Sequence, residues 1–306
     1  MTEERKFIHT GEKDRLDRAV AIIYPDISRS RIQKDIELGF ITVNGNKVAT
    51  TKHSVQEGDE IAYQYQAVKP SAAVGMNIPI LFENADMLIV DKPYGLPVHP
   101  APGYVGTTLI EELLLTHPEI GGVGEDPIRP GIVHRLDKDT SGAMLVAKNQ
   151  ESFIYLKEAF ASRRVHKEYS ALLIGNLSEQ HGLWNLPIGR HPADFRKMTT
   201  ENPKESKESL TEFFTIGHFR GEVDEYTQIK VKLHTGRTHQ IRVHASAAGY
   251  PIAGDKLYGK RASNIAGLDR QFLHSSGIEV QLADGSWIEA HSKLPEDLQS
   301  FLNRII

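Results

Sequence analysis

The stretch Gly131–Lys148, GIVHRLDKDTSGAMLVAK, decides the reading of this chain. Its second half, Ala143-Met144-Leu145-Val146-Ala147, is an uninterrupted apolar run with the length and composition of a buried strand. Its first half is polar and sets Asp137 beside His134 and Arg135, with a Ser141-Gly142 turn expected between the two. A carboxylate thus sits on a loop entering a rigid sheet, where chemically active groups are commonly held. The residues alone leave three readings of Asp137 open. It caps the turn DKDTSG through its own backbone; it joins His134 and Asp139 as a metal ligand; or it is a nucleophile or base kept ionised by an arginine. Spacing does not separate Asp137 from Asp139, since residues two apart on an extended segment share a face.

Upstream, residues 1–12 are polar and aperiodic and read as a flexible tail. Leu16, Ala19, Val20 and Ile23 then recur at helical spacing up to Pro25. Ser28 reads as the N-cap of a second helix carrying Ile32 and Ile36, stopped by Gly39. Asn44-Gly45 between short β-prone runs predicts a hairpin, and Glu60–Tyr65 a further strand. These boundaries give a small unit at 13–67, a linker at 68–78 and a large unit at 79–306. In the large unit, strands are expected at Ile80–Glu83 and Met87–Val90, and helices near 107–116, 150–162 and 238–248. Strands and helices do not alternate regularly. The expected fold is therefore α+β, a mixed, largely antiparallel sheet with a small N-terminal α+β unit, and not a doubly wound parallel sheet. Residues 193–209, ADFRKMTTENPKESKES, read as an exposed, mobile loop.

Composition narrows the function classes. The chain has 306 residues, 40% hydrophobic and 25% charged, enough for a large unit and a small one. It has no cysteine, which removes disulfides, thiol catalysis, Cys-ligated zinc and iron–sulfur clusters. No stretch approaches transmembrane length and no signal-peptide core is present, so a cytoplasmic protein without membrane partners is expected. The net charge of −4 does not advertise nucleic acid, but only local potential matters within about 8–10 Å at physiological salt. Arg29, Arg31 and Lys34 supply such a local cluster, on a helix whose N-terminal amides would suit phosphate. A merely solvated helix face is the bland reading.

Two further clusters carry chemistry. Lys167 and Tyr169 share a face of an expected strand; the tyrosine offers a ring for stacking a base and a hydroxyl for proton traffic. Packing at a sheet margin is its commoner fate. The third cluster, Leu233–His244, reads LHTGRTHQIRVH. Its three histidines stand five apart, which puts them on different faces of either a helix or a strand and argues against a metal site. Arg237, after a glycine, is placed to meet a carboxylate through its two-pronged donors.

These clusters stand in the order of the motifs of a known family. HRLD with its Ser-Gly and AK, the K-x-Y at Lys167, GRTHQIRVH followed by GDKLYG, DKPYGLPVHP at Asp91–Pro100, and Phe272-Leu273-His274 together resemble the RluA/RluD-type RNA pseudouridine synthases. The segment SRSRIQKDIELGFITVNGNKV resembles the S4 RNA-binding domain. The likeness spans roughly residues 14–300.

The resemblance implies Asp137 as the catalytic carboxylate, paired with Arg237, with Tyr169 over the target uracil. It implies Arg135 filling the space of a flipped-out uridine, and Lys167 and Leu273 in substrate binding. Arg29, Arg31 and Lys34 would grip structured RNA. It implies no metal or other cofactor, an RNA substrate in the large ribosomal subunit, and a monomer. The competing expectations are a non-catalytic RNA-binding or ribosome-assembly protein and, more distantly, a metal-dependent hydrolase.

Overall fold

The N-terminal unit runs β1 (Thr2–Ile8), β2 (Asp14–Arg15), α1 (Leu16–Ile23), α2 (Arg29–Glu37), β3 (Ile41–Val43), β4 (Asn46–Lys47), β5 (Ser54–Val55) and β6 (Glu60–Gln66). In this computed structural model the described residues are 2–24, 29–48, 50–66, 73–100, 104, 106–126, 128–222, 224–259, 265 and 267–305. The side chains at 2–4, 30, 31, 34, 65 and 66 lie outside that description. Leu16, Val20, Ile32, Ile36, Ile41, Ile61 and Tyr63 form a core of the unit's own. Asn44 and Gly45 both take positive φ, 51° and 75°, the backbone that a two-residue Asn-Gly hairpin demands. The Ser28 cap lies outside the described residues.

The expected tail at 1–12 is in fact mostly strand. β1 pairs antiparallel with β6 along its whole length, at the edge of a sheet ordered β1-β6-β3-β4. Among its described side chains the large apolar anchor is Phe7, packed edge-on against Tyr24, and pairing with β6 along its length carries the rest.

The large unit continues with β7 (Ile80–Glu83), β8 (Met87–Lys92), α3 (Leu109–Thr116), β9 (Ser141–Ala147), α4 (Gln150–Ala161), β10 (Val165–Ile174), β11 (His181–Asn185), β12 (Ile188–Arg190), β13 (Met198–Thr199), β14 (Lys204–Lys207), β15 (Leu210–Arg220), β16 (Glu225–Leu233), α5 (Gln240–Ala247), β17 (Leu273–Gln281), β18 (Trp287–His291) and α6 (Glu296–Ile305). One sheet is ordered β11-β15-β16-β10-β17-β9-β8-β7, with β18 also on β17. All its named pairings are antiparallel except β9 with β17. The architecture is the mixed, largely antiparallel α+β one.

β9 is buried throughout, and apolar from Ala143 on, because both its faces are covered. Met144 and Val146 join one core with α3, α5 and α6; Ala143, Leu145 and Ala147 join a second with Phe153 and Leu156 of α4. Truncating Leu145 to alanine would cost about 2–5 kcal/mol.

Ser141-Gly142 is not a turn. It is the start of β9, where His274 and Ser275 of β17 pair with it. Gly142 has φ +114°, and a Cβ there would stand 2.2 Å from the Ser275 carbonyl oxygen. The bare backbone lets the two strands close just beyond Asp137. Residues 193–209 are largely exposed as expected, but β13 and β14 within them flank β12 as a small sheet. Alternating charges and small polar residues conceal those strands from any hydrophobic periodicity.

Candidate active site

Asp137 lies on the loop entering β9, part-buried, at the floor of a cleft of about 710 Å³. That volume is within the usual range for a small-molecule site. The cleft brings together Arg135, Asp137, Lys167, Tyr169, Arg237 and Leu273. It does not bring the expected ion pair together. Arg237 is exposed; its Nε donates to the Glu208 carbonyl at 3.0 Å and its backbone N–H to Gln240 Oε1 at 3.0 Å.

The arginine on Asp137 is Arg242. Its Nη1 donates to Asp137 Oδ2 at 2.9 Å, while Nε and Nη2 grip Asp255 in two parallel bonds of 2.7 and 2.9 Å. Helix geometry explains the exchange. Arg237 precedes α5, whereas Arg242 lies within its first turns, on the apolar face that carries Ile241 and Ala245 into the core. Asp255 is fully buried. Burial alone would raise its pKa, but Arg242 and the Leu257 and Tyr258 amides outweigh that and lower it. Burial likewise opposes the Arg242 charge, and the two carboxylates outweigh it. Gly254, at φ +75° and with a would-be Cβ 2.1 Å from the Arg270 carbonyl oxygen, sets Asp255 in place. The signal for Arg242 was present in the sequence: a charge between Ile241 and Val243 is buried only when paired.

Lys92 is a second residue not anticipated. Fully buried, its Nζ donates to the carbonyls of Pro93, Leu96 and Lys138 at 2.7, 2.8 and 3.0 Å, stapling the loop after β8 to the Asp137 loop. Burial draws its pKa down to about 7 while Asp139 and Asp137 work the other way. Three carbonyl acceptors match the three N–H bonds of the ammonium form.

Tyr169, buried on β10, keeps its ring in the core beside the cleft. Burial and the nearby Asp137 raise its hydroxyl pKa against a hydrogen bond with Ser275, so the phenol stays protonated at neutral pH. Lys167, two residues earlier on the same strand, is half-buried with its Nζ 5.5 Å from the Phe160 ring centroid. Burial pulls its pKa down to about 8. Arg135 is exposed at the lip, and no carboxylate among the described residues pairs with it.

The histidines disperse. His134 Nε2 accepts the Leu145 N–H, and burial drops its pKa to about 3. His234 meets Glu212, His239 meets Tyr258, and His244 bonds Thr211 and the Leu186 carbonyl. Among the described residues no three His, Asp or Glu side chains are arranged to hold a metal. In the N-terminal unit, Arg29 Nε sits 2.9 Å from buried Asp17. Burial would raise the Asp17 pKa, but Gln33, Arg29 and Arg15 hold it near 2. Arg29 thus has its Nε in a structural pair while its side chain stays half exposed. The Arg31 and Lys34 side chains lie outside the described residues.

The cleft thus holds a carboxylate oriented by a doubly anchored arginine beside a buried tyrosine, in a chain with a separate small N-terminal core. The family comparisons say what class of protein carries this site. The RNA pseudouridylate synthase family model matches residues 86–247, and the S4 domain model residues 14–61. The chain belongs to the RNA pseudouridylate synthase family, whose members are isomerases, and it carries an S4 domain.

An uncharacterized RNA pseudouridine synthase of Aquifex aeolicus is 40% identical over 87% of this chain and 83% of its own length. Ribosomal large subunit pseudouridine synthase D of Yersinia pestis is 39% identical over 95% of this chain and 90% of its own. Among solved structures, human RNA pseudouridylate synthase domain containing 1 aligns with a TM-score of 0.58 and 27% identity, over 75% of this chain and 94% of that one. Among the described residues no helix is long and apolar enough to cross a membrane.

Proposed function

We propose that this chain converts uridine to pseudouridine in large-subunit ribosomal RNA, with Asp137 acting on a uridine flipped out of the RNA. The observation that carries the reading is the relay Asp137–Arg242–Asp255 at the floor of the cleft. The RNA class rests on the name of the Yersinia pestis relative.

The reaction breaks the bond between C1′ and N1, turns the uracil and joins C5 to C1′; C5 gives up its proton to solvent and N1 takes one up. No electrons are gained or lost, so carboxylate chemistry suffices. Asp137 either attacks C1′ as a nucleophile or removes the 2′ proton to give a glycal. Arg242 holds the carboxylate in one orientation for either step. Tyr169, its phenol kept protonated, suits a platform for the uracil better than a base. Leu273 adds an apolar wall.

Because the floor lies below the surface, the nucleotide must leave its stack. Arg135 at the lip is suited to fill the vacated space, and Lys167 and Arg237 to meet phosphates. Residues 13–67 act as the RNA-gripping unit, 68–78 as linker and 79–306 as the catalytic unit of a monomeric cytoplasmic enzyme.

The test is tritium release from large-subunit rRNA labelled at uridine C5. Asp137→Asn should fall to background while still binding RNA, because affinity comes mainly from phosphates and stacking. Asp139→Asn should remain active. An active Asp137→Asn enzyme overturns the reading.

A further inference from the structure

The relay above leaves one polar group beside Asp137 unspent. His239 stands at the start of α5 with φ +57°, a left-handed conformation that His tolerates better than most residues. Its Nδ1 is 2.7 Å from the Tyr258 hydroxyl, and that hydroxyl accepts the Met198 N–H at 2.8 Å. Its Nε2 faces Asp137 Oδ1 at 3.9 Å, too far for a hydrogen bond. His239 and Asp137 both line the cleft.

The donors and acceptors around Tyr258 favour one tautomer. The Tyr258 oxygen already takes one proton from Met198, and its own proton needs an acceptor. Among the described residues the neighbour able to serve is Nδ1 of a neutral imidazole. The surroundings of the ring favour its neutral form on balance. Burial lowers the His239 pKa, Asp137 and Asp255 oppose that, and Arg242 and Arg135 reinforce it. Tyr258 is pushed up to about 12, again first by burial, so it keeps its proton. With Nδ1 accepting, the imidazole proton sits on Nε2 and points to the space beside the carboxylate.

We propose that His239 is a further catalytic residue of this enzyme, a neutral imidazole locked by Tyr258 that donates its Nε2–H to an oxygen of the nucleotide bound against Asp137. Both a uracil carbonyl and the ribose 2′ hydroxyl lie next to C1′, and either would meet a donor so placed. Met198 opens β13, so one hydroxyl ties the β12–β14 sheet to the reaction centre. Docking of that sheet and the imidazole's orientation are therefore linked. The inference rests on the function proposed above.

The tautomer is read directly by nitrogen NMR of histidine-labelled enzyme at pH 7, with the His239 signals assigned from a His239→Asn spectrum. Nδ1 unprotonated and Nε2 protonated is the expected result, and Tyr258→Phe should yield a tautomer mixture. An Nδ1-protonated ring or an imidazolium in the unsubstituted enzyme overturns the proposal. Turnover is read on the C5-tritiated rRNA under single-turnover conditions.

Gln places an amide near the Nε2 position, and Asn places one near Nδ1. His239→Asn should lose about tenfold in rate with RNA affinity unchanged, and His239→Gln should lose less. Backbone strain alone predicts the opposite order, since Asn accepts positive φ more readily than Gln. Asn turning over as fast as Gln sinks the idea. Inactive Asp137→Asn beside fully active His239→Asn sinks this inference alone; active Asp137→Asn sinks the function on which it rests.

Discussion

Replacing Arg242 by methionine separates what holds the site together from what performs the chemistry. The guanidinium makes three charge-assisted bonds, two to Asp255 and one to Asp137. Asp255 is fully buried, so removing its partner strands a charge in the core. Breaking a buried pair in this way costs about 3–5 kcal/mol, a large part of the roughly 5–15 kcal/mol that stabilises an ordinary protein. Asp255 keeps two backbone donors, Leu257 and Tyr258, at 2.9 and 3.1 Å, which puts the expectation at the lower end. Adding Asp255→Asn removes the stranded charge and keeps an acceptor for those amides. The double variant should recover most of the stability in urea denaturation. Its single-turnover rate should not recover, because Asp137 still lacks its orienting partner. Arg237→Met, at an exposed position, should change stability by less than about 0.5 kcal/mol. A single Arg242→Met variant within about 1 kcal/mol of the parent, or a double variant that turns over normally, refutes the reasoning.

Tyr169→Phe keeps the ring and should bind RNA normally, whereas Tyr169→Leu should lose about 1–3 kcal/mol of binding; equal affinities in a filter assay would remove the stacking role. Lys167, with its pKa drawn down to about 8, carries its charge below that pH, so RNA affinity should fall as pH rises from 7 to 9. Lys167→Met should flatten this part of the profile. The sign for stability is opposite: the unfolded chain keeps the lysine proton up to about 10.4, so this group makes the fold more stable as pH rises from about 8 towards that value. Arg31→Ala and Lys34→Ala should each weaken RNA binding and reduce its logarithmic salt slope by about 0.7–0.9 per lost phosphate contact. Arg29→Ala should also destabilise the N-terminal unit, since its Nε pairs with buried Asp17.

What was legible in the sequence followed from strong local signals. β9 is an apolar run covered on both faces, and the Asn44-Gly45 hairpin needs positive φ that few residue pairs tolerate. Periodicity likewise locates α3, α4 and α5. β1 and the β12–β14 sheet were not legible, because backbone pairing holds them and their side chains carry no hydrophobic pattern. α6 was overlooked although Leu298, Phe301 and Leu302 recur at helical spacing.

The site divides along the same line. Lys167 and Tyr169 share a strand face that their spacing gives, whereas only the family resemblance, and not local spacing, tells Asp137 from Asp139. Which arginine meets Asp137 does not follow from residue type, because Arg237 and Arg242 have the same chemistry; only their neighbours tell them apart. A glycine before Arg237 favours an exposed loop end, while Ile241 and Val243 around Arg242 demand burial. Burial of a guanidinium demands in turn a second carboxylate, and Asp255 supplies it. The burial requirement, taken as a requirement for two acids and not one, distinguishes the two arginines. It also explains why the orienting arginine is held so firmly: one face of its fork is fastened to the core, leaving the remaining nitrogen for the cleft.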